Sequence, residues 1–302
     1  MKQTKIIRQS YSDKIFDVAN VIIMLLLLVI FVWPLWFVLI ASFSDQNAVN
    51  AGKVLLWPID FTLGGYELML EHSELWIGYR NTIFYTIVGT LVNMVMSVCL
   101  AYPIAGKRFM PRKVLMYCFL ITMYFSGGMI PTYMVVRRVG VVNTPWAMII
   151  PGAVSVYNCL ILRNYFMNSI PNELEEASML DGANAAQYLW SVVLPLSKPV
   201  LAVVALYYTV GHWNDYYTAL LYISDIELRP LQAVLKDLIV SQQALGELMS
   251  TSIDPTMFEK MIKDAMQLRY CVIIAAAMPM LCIYPFIQKF FVKGVMIGSI
   301  KG

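Results

Sequence analysis

Charge is what this 302-residue chain has least of. Lys, Arg, Asp and Glu together make 14% of it, against about 25% in a soluble globular domain. Hydrophobic residues reach 59% and the mean hydropathy is +0.66. An ordinary water-soluble fold is thereby excluded and the membrane class is indicated. The net charge of +3 is too small to argue for nucleic acid. Only two histidines are present, so a His-rich metal site is excluded and no metal is expected. The five cysteines, Cys99, Cys118, Cys159, Cys271 and Cys282, form no CxxC pair. All lie in or beside apolar runs and read as small buried side chains. GxxxxGK[ST], HExxH and GxSxG are absent, as are paired intramembrane acids, fixed-period repeats and low-complexity segments. The chain therefore lacks a nucleotide-binding loop and a recognisable catalytic motif.

What is present is a series of long apolar runs. A bilayer core of about 30 Å needs roughly 20 apolar residues per helix. Six segments qualify, at about 18–42, 80–105, 114–136, 144–166, 199–223 and 270–293. The first follows Lys2, Lys5, Arg8 and Lys14 and has the flank of a signal peptide. A secretory apolar core is about 7–15 residues, whereas Val21–Ile40 is apolar throughout, so an uncleaved span is expected. The basic N-terminal stretch and the Lys107, Arg108, Arg112, Lys113 cluster belong inside by the positive-inside rule. Six spans then place both termini and the fourth–fifth connection in the cytoplasm. Arg137 and Arg138 oppose this orientation, while Asp45, Asp60, Glu67, Glu71 and Glu74 lean outward. The long outer segments are about 43–79 and 224–269. In the second, Met257, Phe258, Met261, Ile262, Ala265 and Met266 recur at helical spacing over Pro255–Leu268. The whole chain, 1–302, is expected to be one all-α membrane domain.

The most informative stretch is PNELEEASMLDGANAAQYLWSVVLPL, residues 171–196. It is polar and acidic, and it separates two apolar segments. Pro171 suits a helix start and Gly182 its end. Glu173, Glu175 and Glu176 sit where the helix dipole favours negative charge. Ile170, Leu174, Ala177 and Met179 or Leu180 predict an apolar stripe beside an acidic face. Gly182 permits a bend that a Cβ would resist. A second short helix follows, ended by Pro195. Patterning alone leaves two readings open: an amphipathic loop lying on the membrane, or a projecting docking element.

The order Glu176-Ala177-Ser178, three residues, Gly182, nine residues, Val192-Val193-Leu194-Pro195 resembles the EAA loop of ABC-transporter permeases. Ser178 stands for the family's second Ala and Val192 for its Ile. The likeness continues through 123–166, through GHWNDYYTALLYI at 211–223 and through the C-terminal 284–302. It is nearest to carbohydrate permeases of the maltose-type second-permease branch, in the subgroup that imports complex oligosaccharides. The resemblance implies a type I importer fold and a coupling loop at about 168–198 that docks on an ATPase. Glu176, Ala177, Ser178, Asp181 and Gly182 would carry that contact. It also implies a second homologous permease, a cytoplasmic ATPase dimer holding ATP and Mg, an extracytoplasmic sugar-binding protein, and a multi-pass place in the cell membrane among lipid. No cofactor is expected in this chain.

Ionisable side chains at membrane depth are expensive, about 2.5–3.5 kcal/mol on insertion scales, and are functional candidates by default. Asp215 lies 16 residues beyond Pro199, so about 24 Å along a helix. His212 is three residues earlier on the same face, with Trp213 and Asn214 between. Aromatic faces with amide and carboxylate groups suit a sugar path. The alternative is a His212–Asp215 pair satisfied within the bundle, with Trp213 at the membrane interface. Asn93, Tyr157 and Asn158 are weaker path candidates, since an intramembrane Asn also serves to bond a neighbouring helix. Gly127-Gly128 and Pro131 predict a break in the third span. An ion-coupled secondary transporter is the competing function, and it would show repeats and more midplane acids. An intramembrane enzyme would need one of the missing motifs.

Overall fold

The computed structural model describes residues 10–247 and 255–298, with side chains for 10–240 and 263–285. No strand occurs among them. In chain order the helices are α1 (Tyr11–Ser42), α2 (Gln46–Asn50), α3 (Gly64–Glu71), α4 (Ser73–Ala105), α5 (Arg112–Tyr124), α6 (Met129–Val139) and α7 (Val156–Ser169). There follow α8 (Asn172–Leu180), α9 (Ala185–Tyr188), α10 (Leu194–Leu196), α11 (Lys198–Trp213), α12 (Tyr217–Tyr222), α13 (Leu231–Glu247) and α14 (Pro255–Gly298). A π-helical turn, Leu189–Val193, joins α9 to α10.

Three stretches are long and apolar enough to cross a membrane alone: α1, α4, and Lys263–Pro285 within α14. Two more crossings arise if α5 with α6, and Ala185–Leu196 with α11, each count as one bent span. The expected segments are thus modified. The third breaks at Phe125–Gly128, where α5 and α6 meet at 118° and Gly128 adopts φ +86°. That backbone region is open to glycine and resisted by a Cβ. The fourth opens with a short 3₁₀ helix, Pro145–Met148, and is α-helical only as α7. The fifth divides between α11 and α12, at Asn214–Tyr216. The sixth is one part of the 44-residue α14. The amphipathic Pro255–Leu268 stretch is helical, and the side chains of Met257, Phe258, Met261 and Ile262 lie outside the described residues.

The described residues gather into two compact units, divided after Glu71, Gln243 and Ile274. In the first, α1 begins where the Asp13 carboxylate accepts the Ser10 N–H at 2.9 Å, a reciprocal cap of the first turn. Every side chain from Tyr11 to Trp36 is exposed, as expected of a helix whose apolar surface is covered from outside the chain. Its last turn joins a small core of Ile40, Ala41, Ala48, Val49 and Val54. Asp45 caps α2 through the Asn47 N–H at 2.8 Å and meets Lys263 at 2.6 Å. The Lys263 ammonium holds the Asp45 carboxyl below its usual range.

The second unit is built on α4, whose 33 residues run about 50 Å. One end buries Val98, Ala101, Leu162, Phe166, Tyr188, Val193, Val204 and Tyr208, from α4, α7, α11 and the α9–α10 region. The other end buries Tyr85, Val136, Met148, Ala219 and Tyr222. There Asn81 donates to the carbonyls of Glu227 and Arg229 at 2.7 and 3.0 Å, and Tyr85 donates to Leu228 at 2.8 Å. These bonds satisfy the end of a short 3₁₀ helix, Ile226–Leu228, whose carbonyls would otherwise be left without partners.

Candidate functional site

The loop at 171–196 is a helix, a turn and a helix. Pro171 precedes α8 in extended conformation. At the far end Gly182 takes φ +78°. Its N–H donates to Met179 O at 3.0 Å and the Ala183 N–H to Ser178 O at 2.9 Å, the paired bonds of a glycine-terminated helix. Asn184 then opens α9: its side chain accepts the Gln187 N–H at 2.9 Å, and Gln187 answers on the Asn184 N–H at 2.8 Å. A Cβ on Gly182 would meet nothing within 4 Å, so the glycine is required by backbone angle, not by crowding.

The two faces of α8 differ from the expected stripe. Glu175, Ser178 and Met179 are half-buried and turn inward, whereas Glu173, Leu174, Glu176, Ala177, Leu180, Asp181 and Gly182 are exposed. Glu175 helps line a cavity of about 600 Å³ with Tyr102, Arg108, Met179 and Tyr188. Ser178 turns its hydroxyl back on Glu175 O at 2.8 Å. Glu176, Ala177, Asp181 and Gly182 therefore share the outward surface, and Ser178 supports it from beneath. Leu180, expected only as an alternative to Met179 in the apolar stripe, is 91% exposed and stands one helical turn from Glu176.

The expected cluster in the fifth span divides in two. His212 does not pair with Asp215. Its Nε2 lies 3.0 Å from Asn93 Oδ1, while Asn93 Nδ2 donates to Gly152 O at 2.7 Å. With the amide nitrogen committed to a carbonyl, Oδ1 must accept, so the imidazole carries its proton on Nε2. One turn inward the arrangement repeats. Tyr208 Oη meets Ser97 Oγ at 2.7 Å and accepts the Ser155 N–H at 3.1 Å. The Thr90 and Thr209 hydroxyls, on the same two helices, lie 3.3 Å apart. α4 and α11 are thus joined by a polar ladder, and two of its rungs hold the Gly152–Ser155 segment. That segment starts α7, and α7 leads to α8. Gly89 makes the approach possible, since a Cβ there would stand 2.5 Å from His212 Nε2.

Trp213 is also buried, and its indole N–H donates to Ala276 O on α14 at 3.0 Å. It is not an interface residue. Asn158 is buried on α7, whereas Tyr157 is exposed. Beyond Trp213 the character changes. Asn214, Tyr216 and Tyr217 are exposed and Asp215 is half-exposed. Asn214 Nδ2 returns to Val210 O at 3.0 Å, and Asp215 Oδ1 accepts the Thr218 N–H at 3.0 Å, closing the first turn of α12. Tyr217 Oη lies 3.1 Å from Met129 Sδ, which brings the start of α12 to the start of α6. Among the described residues no cluster of His, Cys, Asp and Glu is arranged to hold a metal.

No protein-family model matches this chain. It is 36% identical over 302 residues to protein LplC of Bacillus subtilis strain 168, covering all of both chains. It is 37% identical over 295 residues to the polygalacturonan/rhamnogalacturonan transport system permease protein YtcP of the same strain, covering 96% of this chain and all of that one. In structure it is similar to a chain of a bacterial ABC transporter involved in the import of the acidic polysaccharide alginate. The TM-score is 0.84 at 31% identity, over 94% of this chain and 99% of that chain.

Proposed function

This chain belongs to the carbohydrate ABC-transporter permeases, multi-pass cell-membrane subunits of importers for oligosaccharides, and we propose that α8 is the part through which it receives the work of ATP hydrolysis. The observation that carries this is the outward face of α8. An acidic side chain, Glu176, and a bare apolar one, Leu180, stand together at a glycine turn. Behind that face, α7 runs to the Gly152–Ser155 segment held by α4 and α11. A push on α8 is thus delivered to the helix core as a whole. The resemblance of the same residues to the EAA loop supplies the partner, a cytoplasmic ATPase dimer that holds ATP and Mg.

The chain crosses the membrane six times with both termini inside and works as one permease domain, 1–302. The short and broken helices complete their crossings against a second, homologous permease, and the two enclose the sugar path. An extracytoplasmic binding protein supplies the sugar. The basic residues Lys107, Arg108, Arg112 and Lys113 beside the inner end of α4 support this orientation.

Gly182→Val forces a β-branched residue into φ +78°, and Glu176→Lys inverts the charge on the docking face. Each is expected to leave the subunit inserted while lowering uptake by about tenfold or more, the loss of roughly 1.4 kcal/mol or more of coupling. Less ATPase should co-purify with each. The measurement is uptake per assembled complex, beside the ATPase recovered on affinity purification. Normal uptake and normal ATPase recovery in both variants sink the docking role.

A further inference from the structure

Two helices of the second unit break within apolar runs of the sequence, and they restart next to each other. α5 is 13 residues long and α11 is 16, so they run about 20 and 24 Å from their inner ends before breaking. The contact between Tyr217 Oη and Met129 Sδ ties the restart of one helix to the restart of the other. Around these breaks the chain presents aromatic and polar groups. Tyr124 and Phe125 are 77% and 76% exposed, Tyr216 and Tyr217 are exposed, and Asp215 is half-exposed. The ion pairs among the described residues are Arg229–Asp237 and Lys263–Asp45, and Asp215 is in neither. Its Oδ1 accepts the Thr218 N–H, and a carboxylate has capacity for several donors.

We propose that the paired breaks form a contact site for the uncharged, hydroxyl-bearing face of a sugar ring, with Asp215 accepting hydroxyl donors and Tyr216 and Tyr217 packing on ring C–H groups. The proposal rests on the importer reading above and adds which part of this chain the sugar touches. Irregular backbone at membrane depth is tolerated where it is buried in protein or lines a water-filled cavity, and the carboxylate and phenol groups of Asp215, Tyr216 and Tyr217 suit the second. A sugar offers both chemistries at once: hydroxyls for the carboxylate and apolar C–H faces for the aromatic rings. The negative charge at depth also sets a preference. Across a low-dielectric wall, Asp215 repels a carboxylate on the ring, so a neutral residue is favoured here over a uronate.

The test needs no knowledge of the native sugar. In cells carrying the whole importer, Cys99, Cys118 and Cys282 are replaced by alanine, and Tyr216→Cys or Tyr217→Cys is introduced. Cationic and anionic methanethiosulfonates, which report water beside a thiol, are then compared. Each rate is divided by that reagent's rate with a free thiol in solution. Both reagents are expected to modify both cysteines, the cationic one about tenfold faster on this scale, as a nearby unscreened charge would dictate. Adding Asp215→Asn should reduce that preference to about twofold or less. Failure of both reagents to modify the two cysteines overturns the site, because the breaks then face lipid or protein. Equal rates for the two charges, unchanged by Asp215→Asn, overturn the role of Asp215. Depleting ATP should change the modification rates. Modification that is charge-selective and indifferent to ATP removes the importer reading and leaves the wet site standing, so the two failures are told apart.

Discussion

His212 and Tyr216 are four residues apart and have opposite fates. His212 is buried against Gly89 and bonded to Asn93. Tyr216 is exposed beyond a broken helix end. The inner region is a set of satisfied polar groups holding α4, α11 and the Gly152–Ser155 segment together. The outer region keeps polar and aromatic groups free. The difference shows that polarity at membrane depth has two uses, and that hydrogen-bond accounting separates them. Groups with all their partners inside the chain serve the scaffold. Groups with unused capacity are available to a ligand.

The comparison breaks most sharply at Gly89. A side chain there enters the space of the His212 ring, with contacts at 2.5–2.9 Å. Gly89→Leu must expel the imidazole, leave Asn93 Oδ1 without its His212 partner and separate α4 from α11. Overpacking and orphaned polar groups together are expected to cost about 3 kcal/mol or more. The subunit should be recovered poorly, and its thermal midpoint in detergent should fall furthest of all variants considered. A Gly89→Leu protein as stable as wild type refutes the ladder.

The two rungs are the next comparison. Asn93→Leu strands the His212 N–H and the Gly152 carbonyl, and about 2 kcal/mol is expected. Tyr208→Phe removes one hydroxyl and leaves Ser97 and the Ser155 N–H to find other partners, for about 1 kcal/mol. Because both rungs hold the same segment, the double variant should lose less than the sum. Thermal melts of the purified complex measure all three. Strict additivity means that the rungs act independently and that Gly152–Ser155 is not their shared load.

These regions were unequally legible in the sequence. The helix, turn and helix of α8 and α9 could be read because its signals are local: Pro171 before the first helix, Gly182 after it, Asn184 with Gln187 opening the second. The choice of inward face could not, since α8 has small or apolar residues on both sides. Tyr102, distant in sequence, and Tyr188, on the next helix, select Glu175 and Met179 for the interior. Gly127-Gly128 announced the break before α6. The break before α12 was hidden by the apolar run on either side, although Asp215 three residues before Thr218 is the spacing of a side chain that closes a first turn. The ladder was invisible because its partners lie 111 and 119 residues apart. His212 and Asp215 then looked like a pair only because they share one helical face on a helix that in fact ends between them.

The smallest expected stability change is at Asp215, and it is the most telling. Asn offers the same Oδ1 to the Thr218 N–H and is an equally good residue at a helix start. Asp215→Asn should therefore change stability by less than about 0.5 kcal/mol, well below either rung variant. If Asp215 were a scaffold group like Asn93, losing its charge would disturb the bundle and lower the thermal midpoint. If it serves a ligand, the midpoint stays and the uptake rate per complex falls, because Asn keeps the turn and loses the stronger charged acceptor. Melting and uptake measured on one preparation decide this. A lowered midpoint with unchanged uptake per complex moves Asp215 to the scaffold side, and the boundary between the two regions then lies beyond Asp215 instead of at Trp213.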